Sequence, residues 1–461
     1  MIFFAVLWLP HICSTIAQDL TVPPLWRVAY LVFIHEKPSS NRTRQDRITL
    51  AEAVGHSLSY SEATGQVNGL FHTQSTNWHC ALALYDWITG GDEFEQIVRS
   101  HIPTVFALHA KTSSNFTNDP INLGLAAYYA YRAYNDTSFL DMAKNLSNQA
   151  LANFITPENA ASGNHPTKNV TFASECSGAS TAGGVFYVIN VQTDTHVSGA
   201  SAGLAAHLFD ATRDTQYSDA AELTAAFMTN HMYNGGIISD IFDPRDCSFT
   251  PAVITDNSGF YIEGLSVLAN STANSTWMNN LKTVISTTIK ASWTDSSGIV
   301  NEGLGSMTSE NSNVWPLKGL FIRGLYEAWS RFSPDSDVAK LIQSYLLVQF
   351  NAILDFAKSP DGDIYSPNWH DSPATKLLPW GQLAAIDVLN SAINLPILSE
   401  STSPSTIGSV SPESTSTDKN SNSGNGNGNS SNSNTPTIVG AVVGSIGGIL
   451  LLLLITALKS E

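Results

Sequence analysis

Apolar residues recur at helical spacing through most of the chain, and short polar breaks interrupt them. Gly124–Phe154 reads GLAAYYAYRAYNDTSFLDMAKNLSNQALANF: a periodic run, a break at Asn135–Thr137, then a second run. Ser138 with Asp141 three residues on predicts a capping box for the second helix. The layout returns in 201–231, broken at Arg213–Thr215, in 264–293, broken near Asn274, and in 319–354, broken at Ser333–Asp335. Earlier, Trp78–Val98 breaks at Gly90–Asp92; later, Gln382–Ile393 predicts a last helix. The breaks fall roughly 40–80 residues apart, an irregular repeat rather than a strict period. Helix pairs separated by longer loops make an all-α array of hairpins. A closed toroid with functional loops at one end and an open stack of pairs both satisfy the spacing. Val28–Ile34 is an apolar run with no place in that array.

The two ends add a compartment. Met1–Ala17 is a short apolar run followed by small residues, which predicts a signal peptide cleaved after Ala17. The body, 18–398, is followed by Ser399–Pro436, where 18 of 38 residues are Ser or Thr. Such a segment lacks the apolar surface to fold and reads as a disordered, O-glycosylated stalk. Residues 437–458 follow as a predicted transmembrane helix, with no charge in Ile438–Leu458, and 459–461 form a short cytoplasmic tail. Gly440, Gly444 and Gly448 would lie on one face of that helix. A GPI signal is the alternative reading of the same tail. Either one places the body outside the cytosol, at the cell surface and tethered to the plasma membrane. N-glycosylation sequons at Asn41, Asn115, Asn135, Asn145, Asn169, Asn270, Asn274 and Asn429 agree with that placement.

Charge and cysteines narrow the chemistry. The 461 residues carry a net charge of −17, which argues against a nucleic-acid surface. With Cys13 inside the signal segment, three cysteines remain. Cys176 and Cys247 lie in polar, loop-like sequence and are the expected disulfide pair; Cys80 lies in an apolar helical pattern and reads as a buried free thiol. CxxC, HExxH and clustered His/Cys spacings are absent, so no metal is expected. P-loop and GxGxxG motifs are absent as well.

Four loop segments hold the candidate chemistry. Asp119, in NFTNDPINLG, stands near a helix N-terminus, which favours its charged form but equally suits a helix-capping Asp. TAGGVFY (181–187), TDNSGFYIE (255–263) and YSPNW (365–369) combine aromatics with Gly, Asn and Asp. Flat faces for stacking and short polar groups for hydroxyls are what a sugar site requires.

The body, over most of 45–396, resembles fungal members of glycoside hydrolase family 76, the α-1,6-mannanase-like proteins. The resemblance is carried by NDPINLGLAAYYAYRAY (118–134), TAGGVFY, DNSGFYIEGLSVLA (256–269), KGLFIRGLYEAWSR (318–331), and YSPNW followed by LLPWGQLAAIDVLNSA (377–392). It implies an (α/α)6 barrel, a toroid of helical hairpins, facing α-mannan or a mannosylated glycan of the cell wall, with no cofactor. It also implies a retaining reaction by two neighbouring aspartates, one the nucleophile and one the acid/base. Asn118 and Asp119 match that motif, with Asp119 as nucleophile; the next residue is Pro120, which cannot transfer a proton. Asp256 and Glu263 are the other carboxylates considered for the missing role. The cleft would be lined by Asn77, Asn118, Gly183, Gly184, Phe186, Tyr187, Asn257 and Trp369. The loss of the second acid also fits an inactive, mannan-binding surface protein.

Overall fold

The computed structural model describes residues 18–27, 40–112, 115–188, 197–198, 201–250, 254–302, 317–370 and 373–396. The expected signal peptide, the run 28–34, the stalk and the C-terminal apolar run lie outside the described residues. Among those described, no helix is long and apolar enough to cross a membrane.

The helices are α1 (Arg44–Gly55), α2 (His72–Thr89), α3 (Glu95–Thr112), α4 (Asn118–Tyr134), α5 (Thr137–Leu151), the short α6 (Pro157–Ser162), α7 (Ser201–Thr212), α8 (Thr215–Phe227), α9 (Asp256–Thr272), α10 (Ser275–Thr288), α11 (Leu317–Trp329), α12 (Asp337–Ala352) and α13 (Pro379–Ala392). The expected breaks at Asn135–Thr137, Arg213–Thr215 and Asn274 fall at helix junctions. One cap differs from expectation: Asp136, not Ser138, starts α5, its carboxylate accepting from the Ser138 N–H. Asp136 has the extended backbone that an N-cap requires, whereas Ser138 is already helical.

Burial sorts the helices into two layers. Asn257–Ala269 of α9 and Pro120–Ala130 of α4 are buried without a break, so these helices are enclosed on every side. In α5 only Phe139, Leu140, Ala143, Leu146, Ser147 and Ala150 are buried, one stripe of an outer helix. The enclosed helices form a ring in which α2 packs on α4, α4 on α7, α7 on α9, α9 on α11, and α11 on α13. Helix α13 returns to α2, which closes the toroid and excludes the open stack. The outer helices α3, α5, α8, α10, α12 and α1 pack on α2, α4, α7, α9, α11 and α13 respectively. Between α9 and α11 the approach is too close for side chains. A Cβ on Gly324 would stand 2.2 Å from the Gly259 carbonyl oxygen.

The all-α expectation needs one correction. The long loops fold into small antiparallel strands, the largest set ordered Val185–Phe186, Val197–Ser198, Ile241–Asp243 and Ser248–Thr250. Two- and three-residue strands in Gly- and Asn-rich loops carry too little periodicity to be read from sequence. The Cys176–Cys247 disulfide ties this region together, and Cys80 is buried with a free thiol.

Inner and outer helices alternate along the chain, so the inner six run in one direction. Their C-terminal end is filled by charge. Glu327 of α11 accepts from Arg132 of α4 (2.9 Å) and from Arg331 (2.5 Å), and the Arg132 guanidinium lies 3.6 Å from the Trp87 ring centroid. Higher up, Glu263 of α9 is bonded by Tyr129 (3.0 Å), His207 (3.0 Å) and Arg323 (3.3 Å), all fully buried. These bonds satisfy the carboxylates and plug the ring. The open end is therefore the one where the inner helices begin.

Candidate active site

Six helix N-termini gather at that end, and their orphan N–H groups favour negative charge there. Asp119 is the second residue of α4 and is half-buried. Thr73, in the first turn of neighbouring α2, donates its hydroxyl to Asp119 Oδ1 at 2.6 Å. Asn77, one turn deeper, donates Nδ2 to the Thr73 carbonyl (3.1 Å) and accepts from Arg323 Nη1 at 3.4 Å. A line of contacts thus runs from the buried Glu263–Arg323 pair through Asn77 and Thr73 to Asp119. Asn118, which opens α4, has a buried Oδ1 without a hydrogen-bond partner.

His72 stands beside this pair. Gln66 Nε2 bonds its Nδ1 at 3.0 Å, and its ring stacks on His109 at 6.0 Å. Burial holds its pKa below the usual histidine value, with Asp119 pulling the other way and His109 adding to the fall. Across the ring closure, Trp380 of α13 donates Nε1 to Gln74 Oε1 at 3.1 Å. Phe71, Phe116 and Leu377 are exposed just ahead of α2, α4 and α13. They give the rim apolar faces of the kind on which sugar rings stack.

The opposite side of the mouth is built by α9 and α11. Asp256 opens α9 and is partly buried, its Oδ1 lacking a hydrogen-bond partner. Next to it, Asn257 donates Nδ2 to Asp240 Oδ1 at 3.0 Å. Burial, and then the charge of Asp240, push the Asp256 carboxyl up to about 7. Thr255 donates to buried Glu302 at 3.1 Å. Lys318 of α11 donates to the Pro367 carbonyl at 2.6 Å and sits 3.9 Å from the Trp369 ring centroid.

The structure brings Asn77, Asn118 and Asp119 together on one side of the ring and sets Asn257 on the other. Tyr187 packs against Phe116 at 5.2 Å, near the start of α4. Trp369 is fully buried beneath Lys318, so it supports the mouth without facing it. Gly183, Gly184 and Phe186 are packed inside, contrary to their expected place in the cleft lining. A Cβ on Gly183 would meet the Leu223 carbonyl oxygen at 2.1 Å, and Phe186 lies against His165 and Phe172. Their segment instead anchors the entry to α4. Thr117 donates its hydroxyl to the Phe186 carbonyl and its N–H to that of Tyr187. Sequence reading missed Thr73, His72 and Trp380. A hydroxyl in a buried helix gives no pattern, and the contacts that define it come from distant segments.

A family model described as Glycosyl hydrolase family 76 matches residues 49–404. The chain belongs to glycosyl hydrolase family 76. Among solved structures, the α-1,6-mannanase of Salegentibacter sp. HEL1_6 is similar at 14% identity, over 77% of this chain and 100% of that one, with a TM-score of 0.62. An inactive variant of that mannanase, with two adjacent aspartates replaced by asparagine and α-1,6-mannotriose bound, has the same identity and coverage and a TM-score of 0.61. Dfg5 from Chaetomium thermophilum, in complex with glucosamine, is similar at 13% identity, over 69% of this chain and 80% of that one, with a TM-score of 0.52. No curated protein sequence matches the chain. At these identities the structural likeness speaks for the fold. Within this family-76 barrel, the neighbours of Asp119 are Asn118 and Pro120, so one carboxylate stands at the start of α4 where an adjacent pair would supply two.

Proposed function

We propose that the chain is a cell-surface glycosidase or transglycosidase acting on α-1,6-linked mannan, with Asp119 as the reacting carboxylate. The observation that carries this reading is Asp119 at the open mouth of a family-76 ring, fixed by the Thr73 hydroxyl. The Salegentibacter mannanase, whose variant lacking two adjacent aspartates is inactive and binds α-1,6-mannotriose, supports the substrate class. Attack by Asp119 on the anomeric carbon would retain configuration and leave a glycosyl-enzyme for water or a sugar hydroxyl to resolve. Activation of a water by Asp119 would instead invert configuration and give hydrolysis alone; the position of the proton donor decides between them. The reaction calls for no cofactor. The predicted signal peptide and the uncharged run Ile438–Leu458 support secretion and a membrane tether.

A second reading, a mannan-binding protein that does not cut, rests on Pro120, which cannot replace an acid. Turnover separates the two. The full-length chain and Asp119→Asn are incubated with α-1,6-mannotetraose, and the products are followed by mass spectrometry. Shortened or lengthened chains that vanish in the variant support the enzyme. Intact sugar, bound by both proteins, supports the binder.

A further inference from the structure

We propose that Asp256 is the proton donor that the incomplete pair at Asp119 lacks, delivering its proton to the glycosidic oxygen from the α9 side of the mouth. The inference rests on the proposed mannoside turnover and deepens it. Asp119 and Asp256 stand in the first turns of α4 and α9, two inner helices that open on the same mouth with α7 between them. In this assignment the sugar chain lies across the mouth, between the starts of α4 and α9. Asp256 is partly exposed, and its buried Oδ1 has no hydrogen-bond partner to compete for a proton.

Glu263 and Glu302 of the same side of the ring, and Asp387 of α13, are buried, whereas Asp256 is partly exposed. Glu263 is fully enclosed and, against the opposing effect of burial, held ionised by Arg323 and His207. Glu302 is buried against Thr255, with Lys318 acting on it. The charged groups that bear on Asp256 are Asp240, ahead of the strand at 241–243, and Glu302, following α10, with Lys318 of α11 acting through Glu302; hydrogen bonds from the backbone N–H groups of Asp256 and Asn257 favour the charged form and are outweighed by burial and Asp240. Burial and Asp240 keep Asp256 protonated up to about pH 7, which is the form an acid catalyst needs.

In the first step, the bond between the anomeric carbon and the leaving oxygen breaks, and its electron pair stays with that oxygen. The oxygen takes the Asp256 proton and leaves as a sugar hydroxyl. Asp119, or a water that surrenders its proton to Asp119, forms the new bond to the anomeric carbon. Water or a sugar hydroxyl that later resolves a glycosyl-enzyme returns its proton to Asp256.

The test compares the full-length wild type, Asp256→Asn and Asp119→Asn on α-1,6-mannotetraose and on a 2,4-dinitrophenyl α-mannoside, whose phenolate departs without protonation. Asp256→Asn is expected to lose about 100-fold or more in kcat/KM on the tetraose and less than about 5-fold in kcat/KM on the aryl mannoside, since kcat/KM reports the glycosylation step alone. The retained aryl activity reports that the variant is folded. Wild-type kcat/KM on the tetraose should fall above about pH 7, a limb absent from the aryl reaction. Asp119→Asn should lose both substrates. Equal losses on both substrates, or no loss on the tetraose, overturn the assignment of Asp256 and leave the proposed turnover standing. A wild type that acts on neither substrate overturns that turnover and Asp256's part with it.

Discussion

The Thr73 hydroxyl donates a 2.6 Å hydrogen bond to Asp119 Oδ1, linking the first turns of α2 and α4 at the mouth of the ring. A hydrogen bond to a charged group contributes about 1.5–3 kcal/mol, and it orients the carboxylate for reaction at a sugar. Thr73→Val keeps the branched shape and removes the donor. On α-1,6-mannotetraose it should lower kcat about 10–100-fold while the melting temperature stays close to wild type. Steady-state kinetics with a thermal melt checks this.

Glu327 holds the closed end of the ring. Burial opposes its charge, but Arg132 and Arg331 keep its pKa well below the ordinary 4.5. The folded carboxylate therefore holds its proton less tightly than the unfolded one. Its contribution to stability is complete above about pH 4.5 and is lost as pH falls below that value. Glu327→Gln leaves two guanidinium groups without their partner and should cost about 3–5 kcal/mol at neutral pH. Denaturant titrations from pH 7 to 3 should show the wild type weakening in acid and the variant changing less over the same range.

Gly183 tests whether its segment packs or binds. Its φ is 102°, and a Cβ there would meet the Leu223 carbonyl oxygen at 2.1 Å. Gly183→Ala should destabilise the fold by about 1–3 kcal/mol through backbone strain alone. Mannotetraose affinity of the folded fraction should be unchanged, because the residue does not reach the mouth. Calorimetric melts and a sugar titration on the same sample separate the two effects.

The Cys176–Cys247 bond closes a loop with a sequence separation of 71. Replacing both cysteines by serine should lower stability by about 2–4 kcal/mol, chiefly by freeing the unfolded chain. Paired denaturant curves of wild type and variant give the difference directly.

Much of the helical body was legible because its signals are local. The Asn135–Thr137 and Arg213–Thr215 breaks mark helix junctions through polar residues between periodic runs. Closure was not legible, because α13 meets α2 through contacts such as Asn390 Nδ2 to the Ala81 carbonyl, 309 residues apart. Periodicity also misleads inside the ring: α9 is buried on every side, so no stripe distinguishes the mouth from the core. Asp119 could be picked out by its motif. Thr73 could not, since a hydroxyl in HTQSTNWHC resembles its neighbours until the fold sets it against α4. Gly183 and Phe186 looked like ligand-facing residues because close backbone packing selects the same residue types as a sugar cleft.

The central claim is that sugar binds where the inner helices begin, against Asp119. A crystal structure of full-length Asp119→Asn with α-1,6-mannotetraose tests it most directly. The account predicts a mannose unit in contact with Asn at position 119 and Thr73, with the chain crossing toward Asp256 and Asn257. Sugar bound on another face, with the mouth between α4 and α9 empty, would contradict it.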